Sequence, residues 1–178
     1  DGDARPLRRV FYHNAMDVVS MAALLNHTTF LLEDPANFPA IQAFELAAAA
    51  RLYTELGQIA RAIPLFQHCL KSDPPVDLFL DTSERLALIY KRQGDYLSAI
   101  PIWESAAQSG GVFAFSELAK YYEHHAQEYL QAIRWTQSAL ALLLQPGFPP
   151  ELRFEWQKEF EHRLERLTHK QARAENKK

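Results

Sequence analysis

His124 and His125 sit beside Glu123 and Glu128, and imidazoles with carboxylates are the side chains that hold zinc and similar ions. Adjacent residues on a helix point about 100° apart, so the two rings do not converge on one ion. No further Cys or His pattern joins them, and solvated turn histidines account for the pair. His162 and His169 lie seven residues apart, on roughly one helix face. They could hold a metal weakly or simply belong to a polar surface. The single cysteine, Cys69, is expected as a packed thiol rather than a nucleophile. No Gly-rich phosphate loop and no G-x-S-x-G elbow occurs. From His162 onward the basic residues Arg163, Arg166, Lys170, Arg173, Lys177 and Lys178 outnumber the acids Glu165 and Glu175. In a longer protein such a tail could lie near nucleic acid. A solvated, helix-ending charge run is the commoner form.

The bulk properties exclude several classes. The chain has 178 residues, enough for one domain with a real core, and 48% of them are hydrophobic. A net charge of −3 gives no global basic field for nucleic acid. One cysteine rules out an internal disulfide framework and fits a reducing, cytoplasmic setting. The longest nearly charge-free apolar stretches, Ala36–Phe44 and Ala47–Ala50, are far short of a membrane span, so no membrane partner is expected. The opening Asp-Gly-Asp-Ala-Arg-Pro lacks both a signal-peptide core and a starting methionine, which fits a processed or truncated chain.

Hydrophobic periodicity predicts helices almost throughout. Residues 1–11 read as an arm and Asn14–Leu31 as a helix, with Pro35 and Pro39 punctuating its end. Ala40–Leu56 and Ile59–Lys71 follow as a pair, Asp77–Arg92 and Tyr96–Gln108 as a second, and Val112–His125 and Tyr129–Leu144 as a third. Pro64 is expected near the first turn of its helix, where a missing amide costs little. Pro146-Gly147-Phe148-Pro149-Pro150 breaks the chain before a last helix, Glu151–Arg173, and 174–178 should fray. On that last helix Phe154, Phe160, Leu164 and Leu167 form an apolar stripe. Glu155, Lys158, Glu159, His162, Arg163 and Glu165 form an open polar face, the pattern of a terminal cap.

The three pairs repeat one another. Tyr53, Tyr90 and Tyr122 align, each preceded by a small residue (Ala50, Ala87, Ala119) and followed by Ala62, Ala99 and Ala132. Four residues beyond those alanines stand Phe66, Trp103 and Thr136, and Gly57 and Gly94 mark turns where a left-handed residue is cheap. Alanine is expected where paired helices cross closely, and the aromatics are expected to fill space between pairs. This pattern resembles the tetratricopeptide repeat, W-x2-L-G-x2-Y then A-x3-F then P. Thr136 departs from it in the aromatic slot, the third turn has an extra residue, and Gly111 stands where the second repeat should have proline. The resemblance implies an all-α, right-handed helical solenoid of three pairs (about 39–74, 77–110 and 112–145 within 39–145), with a preceding arm and helix (1–34) and a capping helix (149–173). A scaffold that binds other molecules follows from such stacking.

A second resemblance lies in Arg8-Arg9-Val10-Phe11-Tyr12-His13-Asn14-Ala15-Met16-Asp17-Val18-Val19-Ser20-Met21. It looks like the third motif of the DEDD exonucleases, which have an RNase H-like fold. Asp17 matches that motif's metal-binding aspartate. His13 occupies the slot usually given to a water-positioning tyrosine, and Tyr12 the one usually given to histidine. With Glu117-Leu118-Ala119-Lys120-Tyr121-Tyr122 and Tyr90-Lys91-Arg92-Gln93-Gly94, the chain resembles the C-terminal region of a bacterial family of predicted exonucleases. That family joins an RNase H-like domain to tetratricopeptide repeats. The resemblance implies Mg²⁺ only for a complete nuclease domain, where four carboxylates hold two ions. No D-x-E pair occurs here, so Asp17 is an orphan ligand, and this chain alone is expected to need no cofactor and to be no enzyme. The alternative is an acid in the first turn of a helix capped by Asn14.

By the tetratricopeptide spacing, the first helix of each pair lines a concave groove. That gives Phe44, Ala47, Arg51, Thr54 and Glu55, then Asp81, Glu84, Leu88, Lys91 and Arg92, then Phe113, Ser116, Lys120 and Glu123. The mixed-charge groove lacks the lysine–asparagine pattern that grips a peptide's terminal carboxylate. The expected partners are a protein or peptide in this groove, or an RNase H-like domain in the same polypeptide. Nucleic acid would be reached only through that parent, to whose metal site Asp17, with His13 beside it, would contribute. A free-standing adaptor is the remaining reading.

Overall fold

The computed structural model describes residues 5–33 and 42–176, and every regular element among them is an α-helix. In chain order these are α1 (Arg5–Glu33), α2 (Ala43–Glu55), α3 (Ile59–Lys71) and α4 (Val76–Arg92), then α5 (Tyr96–Gln108), α6 (Val112–His124), α7 (Tyr129–Leu143) and α8 (Pro150–Glu175). Pro35, Pro39, Lys177 and Lys178 lie outside the described residues. The chain divides into two compact units at Ser72/Asp73, with α1–α3 in the first and α4–α8 in the second.

In the first unit, α1 begins at Arg5 rather than near Asn14. The segment holds no glycine, and its one proline, Pro6, falls in the first turn, where its missing N–H breaks no helical bond. Asn14 is therefore a mid-helix residue and caps nothing. Near its C-terminal end α1 meets α2: the Tyr53 hydroxyl donates to the Leu32 carbonyl, and His27 Nε2 lies 3.3 Å from Glu45 Oε1. Glu45 also reaches back 2.9 Å to the Gln42 amide, closing a capping box that fixes the start of α2. The pair α2–α3 closes on Ala47, Ala50, Ala62 and Phe66, none of them accessible. Methyl side chains at those positions let two backbones approach, and Phe66 fills what they leave.

The second unit uses the same device twice. Ala87, Ala99 and Trp103 are buried in α4–α5, and Ala119, Ala132 and Thr136 in α6–α7. Thr136 is as buried as the aromatics at its equivalents, and its hydroxyl donates 2.8 Å to the Ala132 carbonyl, so its one polar atom is satisfied inside the helix.

The turns after the repeated tyrosines follow one rule. The Gln58 amide donates 2.8 Å to the Tyr53 carbonyl and the Asp95 amide 2.9 Å to that of Tyr90, the long-range bond of a Schellman cap. Gly57 and Gly94 supply the left-handed residue each cap needs, at φ 72° and 76°. In the third repeat Glu128 donates 2.8 Å to Tyr122, one residue later, and the left-handed position falls to Gln127 at φ 56°. The extra residue of that turn is absorbed there.

Gly111 is a glycine for a packing reason. A Cβ on it would lie 2.9 Å from Leu80 Cδ2 and 3.0 Å from the Ala106 carbonyl oxygen. Its amide donates 2.8 Å to that same oxygen, a bond proline cannot make. Pro64 stands deeper than expected, as the sixth residue of α3, and Pro101 holds the same place in α5. Both face solvent, where water can take the carbonyl that each proline leaves without a helical donor.

The stripe on α8 differs from the expected one. Phe160 and Leu167 are fully buried and Leu164 partly so, but Phe154 is 76% exposed. Trp156 takes its place, stacked on Phe160 at 5.6 Å between centroids. The buried face thus runs 156, 160, 163, 167, and it carries Arg163 inward.

Candidate functional site

The second unit holds a cleft between α4, α6 and α8. Successive first helices of the repeats lie side by side here, and α8 continues the series as the next wall. At one end, a space of about 370 Å³ is bounded by Lys91, Lys120, Arg163 and Arg166, with Tyr96 and His125 across from them. At the other, about 260 Å³ is bounded by Leu88, Phe113, Trp103 and Trp156, with Glu84 at the rim. Lys91, Trp103, Glu117 and Lys120 border both, so the two spaces form one cleft.

Polar ladders join the three helices. Lys91 of α4 donates to Glu117 of α6, and Lys120 donates to the same carboxylate at 2.9 Å. Burial acts to raise the Glu117 pKa, but the hydrogen bonds from the two lysines outweigh it and hold the group below its ordinary value. Ser116 donates 3.0 Å to Glu159, which also accepts 2.9 Å from Arg163. Glu123 is the hub. Its carboxylate accepts from Arg166 at 2.7 and 3.0 Å and from Lys170 at 2.8 Å, with Arg163 Nη1 at 3.4 Å. Burial again acts to raise the pKa, and the hydrogen bonds from Arg166 and Lys170 overcome it, bringing the group to about 2. Arg166 is raised in return, chiefly by its hydrogen bonds to Glu123.

The expected groove residues are distributed unevenly. Of the first helix, Ala47 is core, Phe44 and Glu55 are exposed, and Arg51 and Thr54 are half-buried, Thr54 donating 2.8 Å to Ala50. On α4, Asp81 is engaged by Arg85 at 3.0 Å, Glu84 and Arg92 are exposed, and Leu88 and Lys91 border the cleft. On α6, Phe113, Ser116 and Lys120 border it, Ser116 with only 2% of its surface exposed, while Glu123, equally covered, lines neither space and belongs to the ladder beneath. Glu123 is not an open groove residue, because α8 covers it. For the same reason Arg163 is no member of an open polar face, and Arg163, Arg166 and Lys170 are not a solvated run: all three turn inward on one carboxylate. Sequence reasoning missed Glu117, Trp103 and Trp156 as lining residues. The available signal was the Glu117–Lys120 spacing of three, which places the pair on one helix face.

The remaining chemical candidates stay apart. His13 Nε2 and Asp17 Oδ2 lie 3.6 Å apart on α1, both well exposed. Among the described residues no three His, Cys, Asp or Glu side chains gather to hold a metal. His162 and His169 are exposed. His124 lies 3.6 Å from Glu123, whereas His125 turns to the Tyr96 hydroxyl at 2.8 Å, its ring 4.3 Å from that of Tyr96. Cys69 is inaccessible, its Sγ 3.4 Å from the Ala43 carbonyl. No described helix is long and apolar enough to cross a membrane.

Helix pairs closed on alanines and capped after a tyrosine define an all-α protein of tetratricopeptide-like build, an architecture that serves protein–protein interaction. The family model of the tetratricopeptide repeat matches residues 46–75, which run from within α2 through α3 and the segment after it. Over 142 residues the chain is 28% identical to the uncharacterized protein YprB of Bacillus subtilis (strain 168), a match covering 76% of this chain. It spans only 33% of that relative's length.

Proposed function

We propose that this chain is the interaction module of a longer, RNase H-like 3′–5′ exonuclease protein, and that α1 is the element by which it joins the catalytic domain. One observation carries the reading. Val10, Phe11, Tyr12, Val18, Val19, Met21, Leu24 and Leu25 are each more than half exposed, and they spread over about two thirds of the circumference of α1, leaving a narrower polar sector at Arg9, His13 and Ser20. So large an exposed apolar area marks an interaction surface, and among the described residues it is left uncovered. The partial span of the bacterial relative supports a larger parent. Asp17 would then be one ligand of a Mg²⁺ pair, with the other carboxylates coming from the joined domain. His13, one turn away, would orient a water at that ion. The swapped order Tyr12-His13 favours, as a second reading, a free-standing adaptor whose α1 docks on another protein.

Hydrogen exchange of residues 5–33, compared between this chain and the full-length natural protein, tests the proposal. Strong protection in the long form is expected. Equal exchange in both overturns it. Protection that appears only when a second protein is added selects the adaptor.

A further inference from the structure

We infer that the cleft between α4, α6 and α8 receives an internal peptide segment in which acidic residues neighbour a bulky apolar side chain. This rests on the interaction reading and names the partner's chemistry. Two features carry it.

The first is charge. Four cationic side chains, Lys91, Lys120, Arg163 and Arg166, line the larger space with one carboxylate, Glu117, while Glu123 and Glu159 pair with the two arginines from outside the lining. Positive charge is in local excess in a chain whose net charge is −3. The excess is also under-used. Arg163 is 93% buried by its 7% exposure, borders the space, and its Nε has no hydrogen-bond partner, while its Nη1 bond to Glu123 is long at 3.4 Å. A buried guanidinium donor without an acceptor costs free energy, and an added anionic group nearby would lower that cost. His125 and Tyr96 close the same end with further polar atoms.

The second is the adjoining apolar space. Leu88 is 41% exposed and faces Phe113, Trp103 and Trp156 across about 260 Å³, room for one large side chain. Glu84 at its rim and Glu117 between the two spaces offer acceptors to peptide amides. A polyanionic nucleic-acid backbone running along the cleft would pass both carboxylates and be repelled. A peptide, with amide donors and alternating side chains, matches the order of groups. Seating is thus bipartite: carboxylates toward Lys120 and Arg166, the apolar side chain against Trp103 and Trp156.

Fluorescence anisotropy of the whole chain with a labelled peptide, Phe followed by Asp and Glu residues, blocked at both ends, tests this. Binding should weaken about tenfold or more when the acids are replaced by their amides, when Phe becomes Ser, or when salt is raised to screen the site. Lys120→Glu should weaken it similarly, and Leu88→Asp at the apolar end gives a second, surface variant if the first loses helicity. An equally charged oligothymidylate should bind more weakly than the peptide. Absence of peptide binding, indifference to the acids, or tighter oligonucleotide binding overturns the inference. Such a failure with α1 still protected in the full-length protein removes the acidic-peptide assignment and leaves the interaction module standing.

Discussion

Arg166 clasps Glu123 with both arms, Nε at 3.0 Å and Nη2 at 2.7 Å, and so ties α8 to α6 across 43 residues of chain. The carboxylate is fully covered, while Arg166 keeps 39% of its side chain accessible. A bidentate guanidinium is the geometry in which a buried carboxylate is best compensated. Glu123→Ala leaves Arg166 and Lys170, both partly exposed, without their carboxylate and Arg163 with Glu159 as its remaining partner, which should cost about 1–3 kcal/mol. Urea denaturation followed by helix signal measures it, and a cost below that of an ordinary surface exchange would show the hub to be dispensable.

The same pair sets an acid limit. The Glu123 pKa is about 2 in the folded chain, against about 4.3 for a free glutamate. A lowered folded pKa means stability that is fully present above the unfolded value and is lost as pH falls through the folded one. Stability should therefore drop between about pH 4.5 and pH 2. Glu117 adds to the drop, since its pKa is also lowered. In Glu123→Gln the slope over this window should be visibly shallower, which urea titrations at a series of pH values would show.

Much of the fold was legible because repeats announce themselves by spacing. Ala50, Ala87, Ala119, Ala62, Ala99 and Ala132 were recognisable as close-packing positions and all are fully buried. Gly57 and Gly94 marked turns because few other residues tolerate their backbone angles. What was not legible is the destination of long polar side chains. Arg163 and Glu123 read as solvated because their charge suggests water, yet both are buried where α8 meets α6. Periodicity alone placed Phe154 in the stripe of α8, whereas the helix is rotated so that Trp156 packs instead. Neighbouring helices decide such rotations, and a single helix's pattern does not contain them. The start of α1 was missed since Arg8 and Arg9 broke the apolar period without breaking the helix.

Gly111→Ala should destabilise the second unit by about 1–3 kcal/mol, since the new methyl meets the Ala106 backbone oxygen, which cannot rotate away. Gly94→Ala offers the contrast. Nothing lies within 4 Å of its Cβ position, so its cost is the left-handed backbone alone, about 1–2 kcal/mol. Thermal unfolding of the two variants separates steric from conformational cost. Insertion of proline at 111, as the repeat pattern would have it, should be worse than alanine because the bond to Ala106 is lost as well.

Thr136→Phe would restore the aromatic that the third repeat lacks, and it should harm rather than help. The site is fully enclosed around a threonine already bonded to Ala132, so the ring has no vacancy to enter. Overpacking of this kind costs about 1–3 kcal/mol. Thr136→Val keeps the shape and removes the hydroxyl without leaving a buried donor, and should be close to neutral. A Phe variant more stable than the parent would reveal an unfilled space between α6 and α7.

Asp17 gives the last test. It stands on an exposed helix face with His13 at 3.6 Å as its neighbour. A hard divalent cation takes six or more oxygens, and one carboxylate cannot supply enough of them to compete with water. Titration of Mg²⁺ or Mn²⁺ into this chain should give no Asp17-dependent heat, and single-stranded DNA should stay uncut in the presence of either ion. Under the proposed exonuclease reading, the expectation reverses in the longer protein. If the joined domain is the proposed nuclease, Asp17→Asn there should lower metal-dependent degradation by about tenfold to a hundredfold. Robust cleavage by this chain alone would mean that the ligand set is already complete within it, and the orphan-ligand reading of Asp17 would be abandoned.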